Sequence, residues 1–229
     1  MTDSLEAQLD RRFRMVNTPV DIERREVNIV HPANADDLIS EEDFIRDERL
    51  PYWADLWPSA KMLATAMVEE NGAGKRLLEL GCGSGLVSVA AVIAGYDVLA
   101  SDYYADALLF TRLNVERNVK GGTVRTREID WRDLPKGLGR FERVVAADVL
   151  YEPAHGELVA RAIYKTLADD GFATVADPGR ISRQNFIDCA KELGLEVEMS
   201  RKLKFAEGEI RQEITLIDLR WPLVRREPR

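Results

Sequence analysis

Cysteine and histidine are scarce: two of each occur in 229 residues. They are Cys82, Cys189, His31 and His155. So small a supply excludes a disulfide framework and a cysteine-rich metal site, and it fits a reducing compartment. No group of His, Cys or carboxylate residues has metal-ligand spacing, so no metal is expected. No apolar run approaches the roughly 20 residues of a membrane span. The opening MTDSLEAQLDRRFRM lacks the apolar core of a secretion signal, and a cytoplasmic location is expected. A basic excess is missing too. The formal net charge is -8, which argues against a nucleic-acid partner. No nucleophile–base pair for acyl transfer stands out. Internal repeats and low-complexity tracts are absent, and nothing in the sequence signals an oligomeric state.

With 45% apolar and 31% charged residues, the chain has the composition of an ordinary globular protein with a sizeable core. From Gly74 onward, short β-rich runs alternate with helical stretches. Residues 76–80 (RLLEL), 97–101 (DVLAS), 123–128, 142–147 and 172–176 read as strands. Residues 86–94, 105–119, 154–167 and 182–193 read as helices, the last with Ser182 as its N-cap and Gly194 as its stop. This alternation predicts a Rossmann-like, doubly wound, mostly parallel seven-strand α/β sheet covered on both faces. Residues 196–203 and 209–220 have no helix between them and should close the sheet as an antiparallel hairpin. Residues 74–229 thus form the expected main domain, and 1–73 an N-terminal extension packed on it. In the extension, residues 20–30 suggest one extra strand, and 36–46 and 61–70 suggest helices.

Charge is uneven along the chain. Residues 36–55 hold eight acids and two bases, which reads as a solvated helix face or as a surface attracting a cationic substrate.

The chemistry concentrates in Glu79-Leu80-Gly81-Cys82-Gly83-Ser84-Gly85, between the first strand and its helix. Glycines there permit a tight turn and close approach of a ligand to the backbone. Asp102 ends the next strand, where an acid accepts hydrogen bonds from ribose hydroxyls. The pair points to a nucleoside-containing cofactor. Glu79 would repel a pyrophosphate but suits a cation, which favours S-adenosylmethionine (SAM) over a nicotinamide dinucleotide. Cys82 fits the loop as a small residue.

Those residues, together with Trp57-Pro58-Ser59, Asp130-Trp131, Ala147-Asp148-Val149-Leu150-Tyr151 and Asp177-Pro178-Gly179-Arg180, resemble class I SAM-dependent methyltransferases. More narrowly they resemble the family-16 lysine methyltransferases, a group that includes enzymes acting on the electron-transfer flavoprotein β subunit and members labelled nicotinamide N-methyltransferase-like. The resemblance covers roughly residues 50–220. It implies that Gly81 and Gly83 line the methionine part of SAM, that Glu79, Cys82 and Gly85 belong to the same cofactor-binding loop, and that Asp102 holds the ribose. Asp130 and Trp131 would meet the adenine, Ala147 would touch the cofactor through its backbone, and Trp57 would close over it. Asp148 and Tyr151 would be the catalytic pair, orienting an amine. Each also has a plainer structural reading: Asp148 as a helix cap, and Trp57, Trp131 and Tyr151 as packing aromatics. Arg180 reads most simply as a support of its Pro-Gly turn, and His155 as a helix-terminal residue.

The implied activity is N-methylation of a lysine side chain on a protein. The alternatives are methylation of a small, nicotinamide-like amine, a nicotinamide-dinucleotide oxidoreductase, and a non-catalytic SAM-fold module.

Overall fold

The computed structural model describes residues 3–23, 25–38 and 50–222. Helix α1 (Leu5–Asp10) is capped by the Ser4 hydroxyl, which accepts from the Ala7 N–H at 3.2 Å. Strands β1 (Met15–Asp21) and β2 (Glu26–Pro32) follow as an antiparallel hairpin, in register from Met15↔Pro32 to Asp21↔Glu26. The single strand expected over 20–30 is therefore replaced by two. Glu23 lies at the turn with φ of +49°, a left-handed conformation that sequence reading associates with Gly or Asn. Of the expected helix over 36–46, Asp36–Leu38 form a 3-10 turn, and residues 39–49 lie outside the described residues. Most of the acidic run lies there too. A second 3-10 turn spans Tyr52–Ala54, and helix α2 (Pro58–Val68) starts with Pro58 at a position where a missing N–H costs nothing.

The main sheet contains β3 (Arg76–Leu80), β4 (Asp97–Asp102), β5 (Arg125–Glu128), β6 (Phe141–Ala147), β7 (Leu167–Asp177), β8 (Glu196–Glu207) and β9 (Ile210–Arg220). Their order is β5-β4-β3-β6-β7-β9-β8. The first five are parallel, and β9 runs antiparallel between β7 and β8. Helices α3 (Leu86–Ile93), α4 (Ala105–Asn118), α5 (His155–Thr166) and α6 (Arg183–Glu192) connect the strands. The sheet thus has the doubly wound topology with the closing hairpin that the sequence predicts.

Alternation along β3 sorts the core. Leu77 joins one cluster with Leu63, Met67, Val87 and Ala90, whereas Leu78 and Leu80 join a second with Val159, Ile163 and Phe186 on the opposite face. Val20, Ile22, Val27 and Ile29 of the hairpin belong to the first cluster. Buried Asn114 of α4 ties the hairpin to the glycine loop. Its side-chain amide donates to the carbonyls of Val30 and Ser84, both at 2.8 Å, and its oxygen accepts from the Val30 N–H at 2.8 Å.

Ser182 stands at the N-cap position of α6, as expected, but its side chain makes no capping hydrogen bond. Its hydroxyl donates instead to the Leu150 carbonyl at 2.8 Å, fixing the start of α6 to the segment after β6.

Candidate active site

Strand order reverses direction at β3, whose successors lie on either side of it. A crevice opens there, beyond the carboxyl ends of the parallel strands, where open α/β sheets bind ligands. A cavity of about 580 Å³ occupies it. Its walls include Glu79, Gly81, Cys82, Gly83, Gly85, Asp102, Asp130, Trp131, Ala147, Asp148, Tyr151 and Trp57, so one space gathers every candidate site residue. The volume lies within the 300–1,000 Å³ or so of ordinary ligand sites.

The floor is the glycine loop. Gly81, Gly83 and Gly85 have φ of +72°, +52° and +85°. A Cβ on Gly85 would stand 2.7 Å from the Thr111 Cα, so neither the conformation nor the space admits a side chain. Gly85→Ala is expected to cost at least about 1–3 kcal/mol from its backbone conformation alone. A melting curve should show a loss of several degrees, and an unchanged curve would contradict the tight packing of loop on α4.

Asp102 closes the loop. Its Oδ2 accepts from the Gly83 N–H at 2.9 Å and its Oδ1 from the Tyr104 N–H at 3.0 Å. The carboxylate is 7% exposed, on the cavity wall.

Glu79 has a character that its position in the sequence conceals. It is 2% exposed, on the α3 face of β3, and the Ser88 hydroxyl donates to its Oε2. Burial, reinforced by the negative charge of Asp102, raises its pKa from 4.5 to about 8 against the opposing Ser88 bond. At neutral pH the neutral acid predominates, and a cation nearby would draw it towards the charged form. The folded chain holds this proton more tightly than the unfolded chain does, so between pH 4.5 and about 8 stability falls as pH rises. Glu79→Gln is expected to remove that slope. Melting temperatures of both proteins across the range should diverge, the variant gaining with pH; parallel curves would refute the assignment. The Cys82 thiol is likewise pushed up by burial, and Thr111 donates to its sulfur at 3.3 Å. It is packed, not reactive.

One side wall is aromatic. Trp131 meets His155 edge-on at 5.3 Å, and His155 meets Tyr151 at 4.7 Å. His155 is buried, with its Nδ1 2.8 Å from the Val149 carbonyl oxygen, which fixes the ring at the start of α5. The Trp131 Nε1 is buried and lacks a hydrogen-bond partner among the described residues. Asp130 accepts from the Arg132 Nε at 2.9 and 2.8 Å through its two oxygens.

Another part of the wall centres on Asp148. It is 6% exposed and takes a φ of +59° just after β6. Its N–H donates to the Ala176 carbonyl at 2.9 Å. Its Oδ2 accepts from the Ser59 hydroxyl at 2.9 Å and its Oδ1 from the Arg180 Nε at 2.6 Å. Burial raises its pKa, and Arg180 and Ser59 oppose that rise. It does not act as a helix cap: α5 begins at His155, and Ala154 precedes it.

Sequence reasoning missed three participants. Trp53 is 8% exposed in the Tyr52–Ala54 turn, lines the cavity, and accepts from the Ser84 hydroxyl through its carbonyl at 3.2 Å. Ser59 lay in the quoted Trp-Pro-Ser motif without a role. Arg180 leaves its turn to reach Asp148, with its guanidinium 5.2 Å from the Trp57 ring centroid.

A seven-strand sheet with an inserted antiparallel β9, a glycine cradle after β3 and a carboxylate ending β4 is the fold and pocket of the class I SAM-dependent methyltransferases. Solved structures agree on the fold. The ribosomal protein L11 methylase of Lactobacillus delbrueckii subsp. bulgaricus superposes with a TM-score of 0.60 at 19% identity, covering 90% of this chain and 100% of that one. The magnesium protoporphyrin IX methyltransferase of Synechocystis, solved with bound SAM, gives 0.58 at 16% identity, covering 80% of this chain and 94% of that one.

The chain belongs to the lysine methyltransferase family, whose model matches residues 45–191. Among its relatives, protein-lysine methyltransferase METTL21E of Mus musculus is 30% identical over 155 residues, 62% of this chain and 63% of that protein. The electron transfer flavoprotein beta subunit lysine methyltransferase of Xenopus laevis is 30% identical over 135 residues, 57% of this chain and 53% of that protein. The chain therefore spans less than two thirds of the length of these relatives.

Proposed function

We propose that the chain is a SAM-dependent protein-lysine N-methyltransferase, with residues 74–229 as the cofactor-binding domain and 1–73 as an extension that braces it. The observation that carries the reading is that buried Asp148 opens on the same cavity as the glycine cradle. The cavity residues fit the cofactor: glycine backbone and Asp102 for a ribosyl group, the orphaned Trp131 N–H and Asp130 for a base, and buried Glu79 for a positive end. When bound, SAM supplies a methyl group activated by a sulfonium.

The chain's own task is to prepare and aim the nucleophile. A lysine amine has an ordinary pKa near 10.4, so roughly one part in 10³ is neutral at pH 7. The amine docks as an ammonium beside Tyr52, Trp57 and Tyr151 and releases its proton to solvent before transfer, a release that a positive charge on the bound cofactor favours. Asp148 accepts a hydrogen bond from the amine, and the Tyr151 side chain, lining the same cavity, orients it. Alignment of two reactants alone contributes about 7–11 kcal/mol. A macromolecular acceptor is favoured over a small one because the cavity-lining Tyr52 is 37% exposed and Ile181, next in sequence to the cavity-lining Arg180, is 75% exposed. The two unpaired cysteines accord with a cytoplasmic setting.

The test is incubation of a cell extract with radiolabelled SAM, with and without the protein. A labelled protein band whose label resides in methyl-lysine is the expected result. Label confined to small molecules would replace the reading with methylation of a small amine.

A further inference from the structure

We propose that Tyr52, Trp57, Tyr151 and Asp148 form a subsite for an alkylammonium group, and that Arg180 fills this subsite until the acceptor cation displaces it. The inference rests on the methyltransferase reading above and adds what guards the acceptor site before the substrate arrives.

The geometry is that of a cation site with a cation in it. Arg180 Nε donates to Asp148 Oδ1 at 2.6 Å, and the guanidinium carbon lies 5.2 Å from the Trp57 ring centroid. Tyr52 joins the two aromatic sides, its ring 5.9 Å from Trp57 and 5.2 Å from Tyr151, and all five residues line the one cavity. Aromatic faces within about 6 Å of a positive centre are how alkylated ammonium groups are recognised. A carboxylate supplies the remaining attraction.

Asp148 explains why the subsite is covered. Its side chain is 3% exposed, and a carboxylate so deep is costly without a counter-ion. Arg180 supplies one in the free protein. An entering ammonium that takes its place exchanges one positive partner for another, so Asp148 stays paired throughout.

The surroundings allow that exchange by side-chain rotation alone. The Arg180 N–H is held by both oxygens of Asp177, at 3.3 and 3.2 Å, and the Gly179 N–H by the same carboxylate at 2.8 Å. Arg183 Nε fixes Asp177 from the other side at 2.5 Å. The backbone is pinned, whereas the Arg180 side chain is 32% exposed and has solvent to swing into.

The probe is n-butylammonium chloride, a stand-in for the lysine side chain, with sodium chloride at equal ionic strength as the control. The readout is the Trp57 indole N–H signal by nuclear magnetic resonance, assigned with W57F. If Arg180 occupies the subsite most of the time, removing its charge should lower the half-saturating concentration by about tenfold or more. R180Q is expected to show this drop, R180K to respond as the wild type does, and D148N added to R180Q to lose the response. R180M supplies the same comparison should R180Q fail to fold. Equal half-saturation in wild type and the uncharged variants, no response in them, or a response that survives D148N would each overturn the proposal. Calorimetry with SAM on the wild type separates the two ideas: absence of SAM heat sinks the enzyme reading, while a missing butylammonium response with SAM binding intact sinks the cation exchange alone.

Discussion

Asp148→Asn is expected to slow methyl transfer by roughly 10²–10⁴-fold, the usual contribution of a positioned proton-handling group. SAM affinity should be nearly unchanged. Asparagine is the right replacement because residue 148 has a φ of +59°, a conformation that Asn tolerates and Ala does not. It keeps an acceptor for Ser59 and removes the charge that meets Arg180. Transfer of label from SAM into extract protein measures the rate, and calorimetry measures SAM binding. A variant that methylates at the wild-type rate would remove Asp148 from the chemistry. A variant that loses SAM binding would mean that Asp148 shapes the cofactor cradle instead.

Asp102→Ala should act on the opposite quantity. The carboxylate holds the Gly83 and Tyr104 N–H groups and faces the cavity where a ribose would lie. Hydrogen bonds to a charged group contribute roughly 1.5–3 kcal/mol each. Loss of two such bonds weakens SAM binding by roughly 10²–10⁴-fold. Titration with SAM and with its demethylated product would show it. An affinity equal to that of the wild type would leave the glycine loop as a turn with no cofactor role.

Much of the frame was legible in the sequence because its signals are local. Residues 76–80 are a short leucine-rich run cut by glycine, and Asp102 stands where the next strand ends. The parallel strands and the closing hairpin follow from which elements have helices between them. The β1–β2 hairpin was hidden because its turn uses Glu23 in a left-handed conformation without Gly, Asn or Pro to announce it. Trp53 was hidden because a three-residue turn has no period. The partners of Asp148 were hidden for a different reason. Ser59 and Arg180 lie 89 and 32 positions away, and they meet only because β6 and β7 are neighbours and α2 packs over them. Glu79 was visible as a residue but not as a neutral acid, since its protonation depends on burial. Sequence spacing gives the identity of such a group and not its charge.

The interior place of β9 also bears on how the molecule assembles during synthesis. Of the seven strands, β9 leaves the ribosome last, yet it belongs between β7 and β8. Until it emerges, β7 presents an open row of backbone donors and acceptors, and such an edge invites pairing with foreign chains. A nascent chain stalled after residue 207 should thus be the aggregation-prone species, and one released past residue 220 should not.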